Sequence, residues 1–190
     1  MSFRPLGRIG CCLLLVACAS APAAKPKGPA DLSVGSLYPL GPGFAWSYDV
    51  DGGDGQPVLA TARVVRFEAG VAEVATGQAV TRYFLGPEGL GRAGQSGYLL
   101  KPPIALQAEW PSGHDTIARV VALGERLQTP AGDFADCVVV EEQNAGSGQR
   151  IRTTYCPGVG PARLVSEMRV RGQTLRVTAT LRGYALEAEP

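Results

Sequence analysis

One polar loop holds the only histidine of the chain beside side chains that could serve nucleophilic catalysis. Ser112, His114 and Asp115 all lie within residues 111–115. A serine-histidine-aspartate triad needs three groups that meet in space, and Ser112 is too close to His114 along the chain to act easily as its nucleophile. The sequence also lacks a Gly-x-Ser-x-Gly turn for another serine. We therefore expect a solvated histidine, whereas a cleft with polar groups converging around His114 would favour an enzyme.

Acidic residues cluster at two places, and neither spacing suits a metal ion or an acid–base pair. Asp49, Asp51 and Asp54 lie beside a glycine-rich turn, but they do not reproduce a calcium loop of about twelve residues with its distal glutamate. Glu141 and Glu142 are adjacent, and adjacent strand residues point to opposite faces, so the pair cannot flank one glycosidic bond. The sequence therefore predicts no metal site.

A glycine-rich segment matches the pattern of a dinucleotide-binding turn without its context. Gly89, Gly91 and Gly94 have the Gly-x-Gly-x-x-Gly spacing, but such a site needs a helix directly after the glycines to receive the pyrophosphate. Residues 95–98 lead instead towards another strand and two prolines. The segment is typical of a glycine-rich hairpin, and we predict no cofactor and no enzymatic activity.

Two cysteines flank a strong turn signal and are predicted to form a disulfide. Strand-like runs lie on both sides of residues 144–148, which read Asn-Ala-Gly-Ser-Gly. A hairpin centred on this turn places Cys137 opposite Cys156, and Glu141 opposite Arg152 on the same face. An even pair of cysteines outside the cytoplasm is most simply a disulfide, since neither Cys-x-x-Cys spacing nor a nearby histidine indicates redox or metal chemistry.

The N-terminus has the pattern of an export signal. Arg4 and Arg8 precede an apolar run over residues 9–16, which is too short to span a bilayer. The tetrapeptide Leu15-Val16-Ala17-Cys18 resembles the lipobox of bacterial lipoproteins. That resemblance implies cleavage before Cys18, lipid on its sulfur and amino group, and a place in the cell envelope. Ala19 in the following position implies the outer membrane rather than the inner one. The alternative is an ordinary secretory signal cleaved after a small residue.

The charge balance limits the classes of partner. The chain carries 18 Lys and Arg against 17 Asp and Glu, and it stays close to neutral once the two arginines of the signal are removed. A protein this close to neutrality is not expected to bind nucleic acid or to dock on membranes through a basic face. The expected membrane contact is therefore the lipid on Cys18.

The sequence divides into four segments. We predict a signal peptide over residues 1–17 and a linker rich in alanine, proline and lysine over residues 18–36. A single folded domain follows over residues 37–186, and residues 187–190 form a short tail. A domain of about 150 residues can bury a substantial core, so a metal is not needed for folding.

The domain has the alternation of many short strands. Trp46, Tyr48 and Val50 alternate with small or polar residues, and Leu175 to Leu181 alternate likewise in the last strand. No segment shows a sustained apolar stripe at helical spacing. We predict an all-β fold, a single antiparallel and strongly curved sheet of about ten short strands with few or no helices, which leaves a barrel, a half-barrel or a sandwich open.

Three motifs combine turn residues with strand-like runs. They are Tyr38-Pro39-Leu40-Gly41-Pro42-Gly43-Phe44-Ala45-Trp46-Ser47-Tyr48, Thr129-Pro130-Ala131-Gly132-Asp133-Phe134-Ala135-Asp136-Cys137 and Tyr155-Cys156-Pro157-Gly158-Val159-Gly160. All three resemble motifs of a family of envelope proteins called TapB-like. Together they span most of residues 37–184. The resemblance implies a curved antiparallel sheet akin to periplasmic lipoprotein-carrier folds, with no known catalytic residues.

These observations favour a non-enzymatic, lipid-anchored envelope protein whose β-domain binds or assembles with another envelope protein. The second hypothesis is a binding module for an apolar ligand, a lipid or a lipidated protein, in a curved-sheet cavity lined by Trp46 and Tyr48. Alternating aromatic residues more often belong to a core, so a filled interior would count against that cavity. An enzyme is the third hypothesis.

Overall fold

The computed structural model describes residues 32–186, and strands dominate them. Residues 32–186 contain one short helix, α1 (Val34–Leu37). The strands are β1 (Ala45–Asp51), β2 (Val58–Glu68), β3 (Val71–Thr76), β4 (Ala79–Gly86), β5 (Gly89–Arg92), β6 (Glu109–Gly113), β7 (Thr116–Thr129), β8 (Gly132–Asn144), β9 (Arg150–Cys156), β10 (Gly160–Val170) and β11 (Gln173–Ala185). Among these residues, no helix is long and apolar enough to span a membrane.

All eleven strands belong to one antiparallel sheet that curves into a nearly closed barrel. Their order is β5-β4-β3-β2-β1-β11-β10-β9-β8-β7-β6, so β5 and β6 form the two edges. The all-β prediction is confirmed, and the single sheet decides against a sandwich of two sheets.

Residues 98–100 connect the two edges of the sheet. The amide of Leu90 on β5 donates to the carbonyl of Leu100 at 2.8 Å, and the amide of Leu99 donates to the carbonyl of Leu90 at 2.7 Å. On the other side, the amide of Tyr98 donates to the carbonyl of Pro111 on β6 at 2.9 Å. Residues 98–100, towards which the glycine-rich segment leads, are therefore a bridge that pairs edge groups which would otherwise lack partners.

The predicted cysteine hairpin is present with the predicted register. Val139 pairs with Thr154 and Glu141 with Arg152, and the Arg152 guanidinium donates to the Glu141 carboxylate at 2.6 Å. Cys137 and Cys156 form a disulfide, and both are buried. This bond ties β8 to the end of β9.

The glycines of the dinucleotide-like segment serve packing. They lie in β5, which forms a hairpin with β4 and is followed by a turn rather than a helix. A Cβ on Gly91 would overlap the ring of Phe84, its cross-strand partner. A glycine-rich hairpin was expected here, and close packing against an aromatic ring is the physical reason for it.

The N-terminal segment closes one end of the barrel. Val34 and Leu37 of α1 are buried, and the Gly158 amide in the β9–β10 turn donates to the Ser36 carbonyl at 2.9 Å. The predicted boundary between linker and domain at residue 37 falls within this helix, so packing against the sheet begins at least three residues earlier. The predicted signal peptide, Cys18 and the tail over residues 187–190 lie outside the described residues.

Tyr38 extends this closure into the barrel. Its ring contacts Trp46 on β1, Tyr83 on β4 and Tyr155 on β9, with ring centroids 5.7 to 6.2 Å apart. One side chain of the N-terminal segment thus touches three separate strands, so the barrel interior at this end is filled.

Candidate binding site at the open end of the barrel

The two ends of the barrel differ. We call the end that holds α1 and the β9–β10 turn the closed end. Because neighbouring strands are antiparallel, the turns after β1, β8 and β10 lie together at the opposite end. We call this the open end, because several side chains that point inward there are exposed.

One side of the open end is apolar. Val50 on β1 pairs with Val58 and with Ala179, and Met168 on β10 pairs with Leu175 on β11. Val50 lies on the same face as the buried Trp46, because side chains alternate along a strand. The same alternation places Leu175 and Val177 on the face of the buried Leu181. These inward-facing residues form what we call the apolar wall: Val50, Val58, Met168, Leu175 and Val177.

The apolar wall is exposed although it faces into the barrel. Val58 is 65% exposed and Leu175 is 51% exposed, whereas Leu181, on the same face of the same strand, is completely buried. Leu181 lies nearer the closed end. The exposure of inward-facing side chains therefore changes along the barrel axis, because the interior is filled at the closed end and uncovered at the open end.

The opposite side of the open end is a polar pocket of about 500 Å³. The walls of this polar pocket come mainly from β5, β6, β8 and the turns beside them. Its lining is Arg92, Gly94, Gln95, Ser96, Ser112, Gly113, His114, Thr116, Glu142, Asn144, Gln149 and Ile151.

Strand alternation explains why charged residues point into this pocket. On β8, Val138, Val140 and Glu142 share the buried inner face, so the carboxyl of Glu142 occupies the next inward position after two core valines. Arg92 pairs with Tyr83 across β5 and β4. Ser112 lies at an irregularity in the pairing of β6 with β7.

The polar pocket and the apolar wall meet without a gap. Gln149 of the pocket donates from its side-chain amide to the Ser166 hydroxyl on β10 at 3.1 Å. Ser166 pairs with Ile151 of the pocket on one side and with Val177 of the apolar wall on the other. The open end therefore offers one continuous surface with a polar half and an apolar half.

Burial controls the ionisation of the groups in and below the pocket. It raises the pKa of the Glu142 carboxyl, while the positive charge of Arg92 and the nearby Ser112 hydroxyl act in the opposite direction. Burial and the Glu142 charge raise the pKa of the Tyr155 phenol. A buried carboxyl near a cation that forms no ion pair is typical of functional sites.

Two polar groups of the pocket lack bonded partners within residues 32–186. Arg92 forms no ion pair within 4 Å and no side-chain hydrogen bond there. The Ser112 hydroxyl oxygen is buried, and no hydrogen bond of acceptable geometry reaches it. Ser112 lies close enough to Glu142 to lower the pKa of its carboxyl.

The histidine predicted to be solvated is exposed at the rim of this pocket. The His114 Nδ1 lies 2.9 Å from a carboxylate oxygen of Asp115 in the same turn. The polar cleft that would favour an enzyme is present, but His114 is not hydrogen-bonded to Ser112. A nucleophile–base pair is therefore not formed by these two residues.

Trp46 and Tyr48, the predicted ligand-binding residues, lie deeper than the open end. Trp46 is buried and donates from Nε1 to the Val159 carbonyl at 2.7 Å. The Tyr48 hydroxyl donates to the Pro161 carbonyl at 2.9 Å. Burial also raises the pKa of this phenol. Both side chains are held by protein groups, and the exposed apolar surface begins at Val50, two residues further along β1.

The acidic residues near the first turn have structural partners. An Asp51 carboxylate oxygen accepts hydrogen bonds from the amides of Gly53 and Gly55, and Asp49 pairs with Arg182 at 2.8 Å. These contacts agree with the predicted polar turn. Within residues 32–186, no cluster of three or more histidine, cysteine or acidic side chains could hold a metal ion.

Sequence reasoning missed the polar pocket because its charged residues lie far apart in the chain. Arg92 and Glu142 are on strands that come together only when the barrel curves round. One signal was available: Glu142 continues the inward alternation of Val138 and Val140. A carboxyl at an inward position of a strand is a reason to look for a site.

Comparison with known proteins gives a likeness at the level of shape. The chain matches no protein-family model and no curated protein sequence. It is similar to a solved structure from Bacteroides fragilis, described as a candidate exported protein with a YmcC-like fold, at 13% identity and a TM-score of 0.48. It is also similar to a candidate lipoprotein from Parabacteroides distasonis, at 15% identity and a TM-score of 0.43. Each match covers 78% of this chain and 98% of the other. The resemblance to the TapB-like family remains a prediction.

Proposed function

We propose that this chain is a non-catalytic envelope protein, attached to the outer membrane through lipid on Cys18, that binds a partner protein at the open end of its barrel. The observation that carries the proposal is the apolar wall. Inward-facing side chains of a small barrel are normally covered, yet Val58, Leu175 and Val177 are exposed here. A concave, contiguous apolar surface with a polar border is a common feature of protein-binding sites.

The direction of the chain supports this use of the open end. The described domain begins at Leu32, and the following residues pack at the closed end. The last strand also runs towards the closed end, where it terminates at Ala185. The described chain therefore begins and ends near the closed end, away from the apolar wall.

The arrangement of polar groups supports a binding role over a catalytic one. His114 is exposed and paired with its neighbour Asp115, and no hydrogen bond joins it to the Ser112 hydroxyl. Glu142 is buried, and Glu141 points to the other face of β8, where it pairs with Arg152. The two adjacent carboxyls are thus separated by the sheet and cannot act on one bond.

Cross-linking in intact cells tests the proposal. A variant with Leu175→Glu and Val177→Glu places two charges on the apolar wall. The matched control carries Thr174→Glu and Thr178→Glu, which alter the outer face of the same strand. We expect a discrete cross-linked adduct with the wild type and the control, and its loss in the apolar-wall variant. Circular dichroism and thermal unfolding establish that both variants are folded.

Two results would contradict the proposal. A protein that stays unlinked under saturating conditions would argue against a stable partner. An adduct that survives the charges on the apolar wall would place the partner elsewhere on the surface.

The apolar wall also supports a second candidate, the binding of an apolar small molecule. Its polar border and its width across β2, β1, β11 and β10 suit an acyl chain as well as a protein segment. Native mass spectrometry of the full-length protein distinguishes the two. A reproducible small-molecule mass that disappears with Leu175→Glu favours the ligand, whereas a bare mass favours the protein partner.

A further inference from the structure

Two side chains of opposite charge line the polar pocket without forming an ion pair with each other. Arg92 lies on β5 and Glu142 on β8, and each belongs to a different side of the nearly closed barrel. They interact through their charges, but no ion pair within 4 Å forms between them. Both side chains line the same cavity of about 500 Å³.

We propose that this pocket binds a zwitterionic ligand, with its anionic group against Arg92 and Ser112 and its ammonium group against Glu142. This site goes beyond the proposed partner-binding role. It uses the polar half of the open end and takes a small molecule rather than a protein surface.

The buried carboxyl shows what the site lacks. Glu142 is buried, and a charged carboxylate with few water contacts is costly unless a cation or hydrogen-bond donors compensate for it. Arg92 compensates only from a distance. A ligand ammonium at hydrogen-bonding distance from Glu142 would supply the missing direct contact.

Ser112, next to Glu142, provides a second observation. The residue is 6% exposed, it lines the pocket, and its hydroxyl forms no hydrogen bond of acceptable geometry within residues 32–186. Buried hydroxyls are nearly always bonded, so this exception needs an explanation. The hydroxyl could donate to an oxygen of an anionic group that also contacts the Arg92 guanidinium.

The two charges together select against ligands with a single charge. An anion held by Arg92 would face the negative charge of Glu142, and an amine held by Glu142 would face the positive charge of Arg92. A zwitterion oriented across the gap pairs with both. The volume of the pocket lies within the usual range for sites of small ligands.

Two kinds of molecule carry this chemistry. A free amino acid joins a carboxylate to an ammonium group, and an ethanolamine phospholipid headgroup joins a phosphate to one. The headgroup has a further place for its acyl chain, because Ser166 connects the pocket to Val177 of the apolar wall.

Calorimetric titration of the full-length protein in detergent micelles tests the site. The probes are L-alanine, O-phosphoethanolamine and short-chain phosphatidylethanolamine. The single-charge controls are acetate, inorganic phosphate and ethanolamine. We expect at least one zwitterionic probe to bind, and each single-charge control to bind at least tenfold more weakly. Binding of alanine alone identifies an amino-acid site, and binding of the two phosphorylated probes identifies a headgroup site.

Variants establish that the binding occurs in this pocket. Glu142→Gln keeps the side-chain size and removes the charge, and Arg92→Gln replaces the cation by a shorter neutral polar side chain. Each should weaken binding at least tenfold, with Ser112→Ala weakening it less. The matched controls are Arg126→Gln and Glu125→Gln on the exposed part of β7, which should leave binding unchanged.

Three results would overturn the inference. They are the absence of binding by every zwitterionic probe, equal binding of a single-charge control, and binding that survives both pocket variants in folded protein. The cross-linking result at the apolar wall is independent, because Arg92→Gln and Glu142→Gln leave that wall intact. Failure of this site and failure of the proposed partner binding can therefore be told apart.

Discussion

Two leucines at opposite ends of the barrel should respond very differently to the same substitution. Leu37 in α1 is 0% exposed, and Leu175 at the open end is 51% exposed. Replacing Leu37 by alanine removes a fully buried side chain and leaves a cavity in the closed end. Such changes destabilise proteins by about 2–5 kcal/mol.

Leu175→Ala should cost much less. Full burial of a leucine side chain contributes about 1.5–3 kcal/mol to the free energy of unfolding. Because Leu175 is 51% exposed in the folded protein, its truncation should remove only about half of that contribution. No cavity forms, because the space beside Leu175 is open to solvent. We therefore expect a loss of about 1 kcal/mol from the free energy of unfolding.

Urea unfolding followed by tryptophan fluorescence measures both values. Trp46 and Trp110 are buried, so their emission should change on unfolding. The comparison requires similar m-values in the two variants, since a changed m-value would indicate a different unfolded state or an intermediate. Equal losses for the two variants would refute the distinction between a closed and an open end. A negligible loss for Leu37→Ala would show that α1 is not part of the core.

Further predictions concern the disulfide, the buried carboxyl and the buried indole. Replacing Cys137 and Cys156 by serine opens a loop with a sequence separation of 19 residues and should cost about 3 kcal/mol, measured by denaturant unfolding. Both thiols should also resist alkylation until the protein is reduced. Burial raises the Glu142 pKa above its ordinary 4.5, so between pH 4.5 and that raised pKa the folded state binds more protons than the unfolded state. Stability should fall as the pH rises above 4.5, and Glu142→Gln should flatten this dependence in thermal unfolding at several pH values. Trp46→Phe should cost about 1–3 kcal/mol, because the buried Val159 carbonyl loses its donor.

Local patterns in the sequence were sufficient for the cysteine hairpin and the last strand. The turn at residues 144–148 fixes the register, and that register alone aligns the cysteines and the pair Glu141–Arg152. In β11 the alternation from Leu175 to Leu181 identifies the inner face directly. Both predictions depend on neighbours along the chain or across one turn, which a sequence records.

Features that depend on closure of the barrel could not be read in this way. β5 and β6 are short and rich in glycine, proline or polar residues, so they lack the alternation of a typical strand. They are stabilised by residues 98–100 and by burial against the core. The exposure of Leu175 and the burial of Leu181 likewise depend on position along the barrel axis. No local pattern distinguishes them.

Photo-cross-linking from a single position at the open end tests the central claim most directly. A photoreactive amino acid replaces Leu175 in the full-length protein in its native cells, and Thr174, its neighbour on the outer face, serves as the matched position. We predict that Leu175 yields a specific protein adduct that mass spectrometry identifies, and that Thr174 does not. Adducts of equal yield from both positions, or an adduct from Thr174 alone, would contradict binding through the open end.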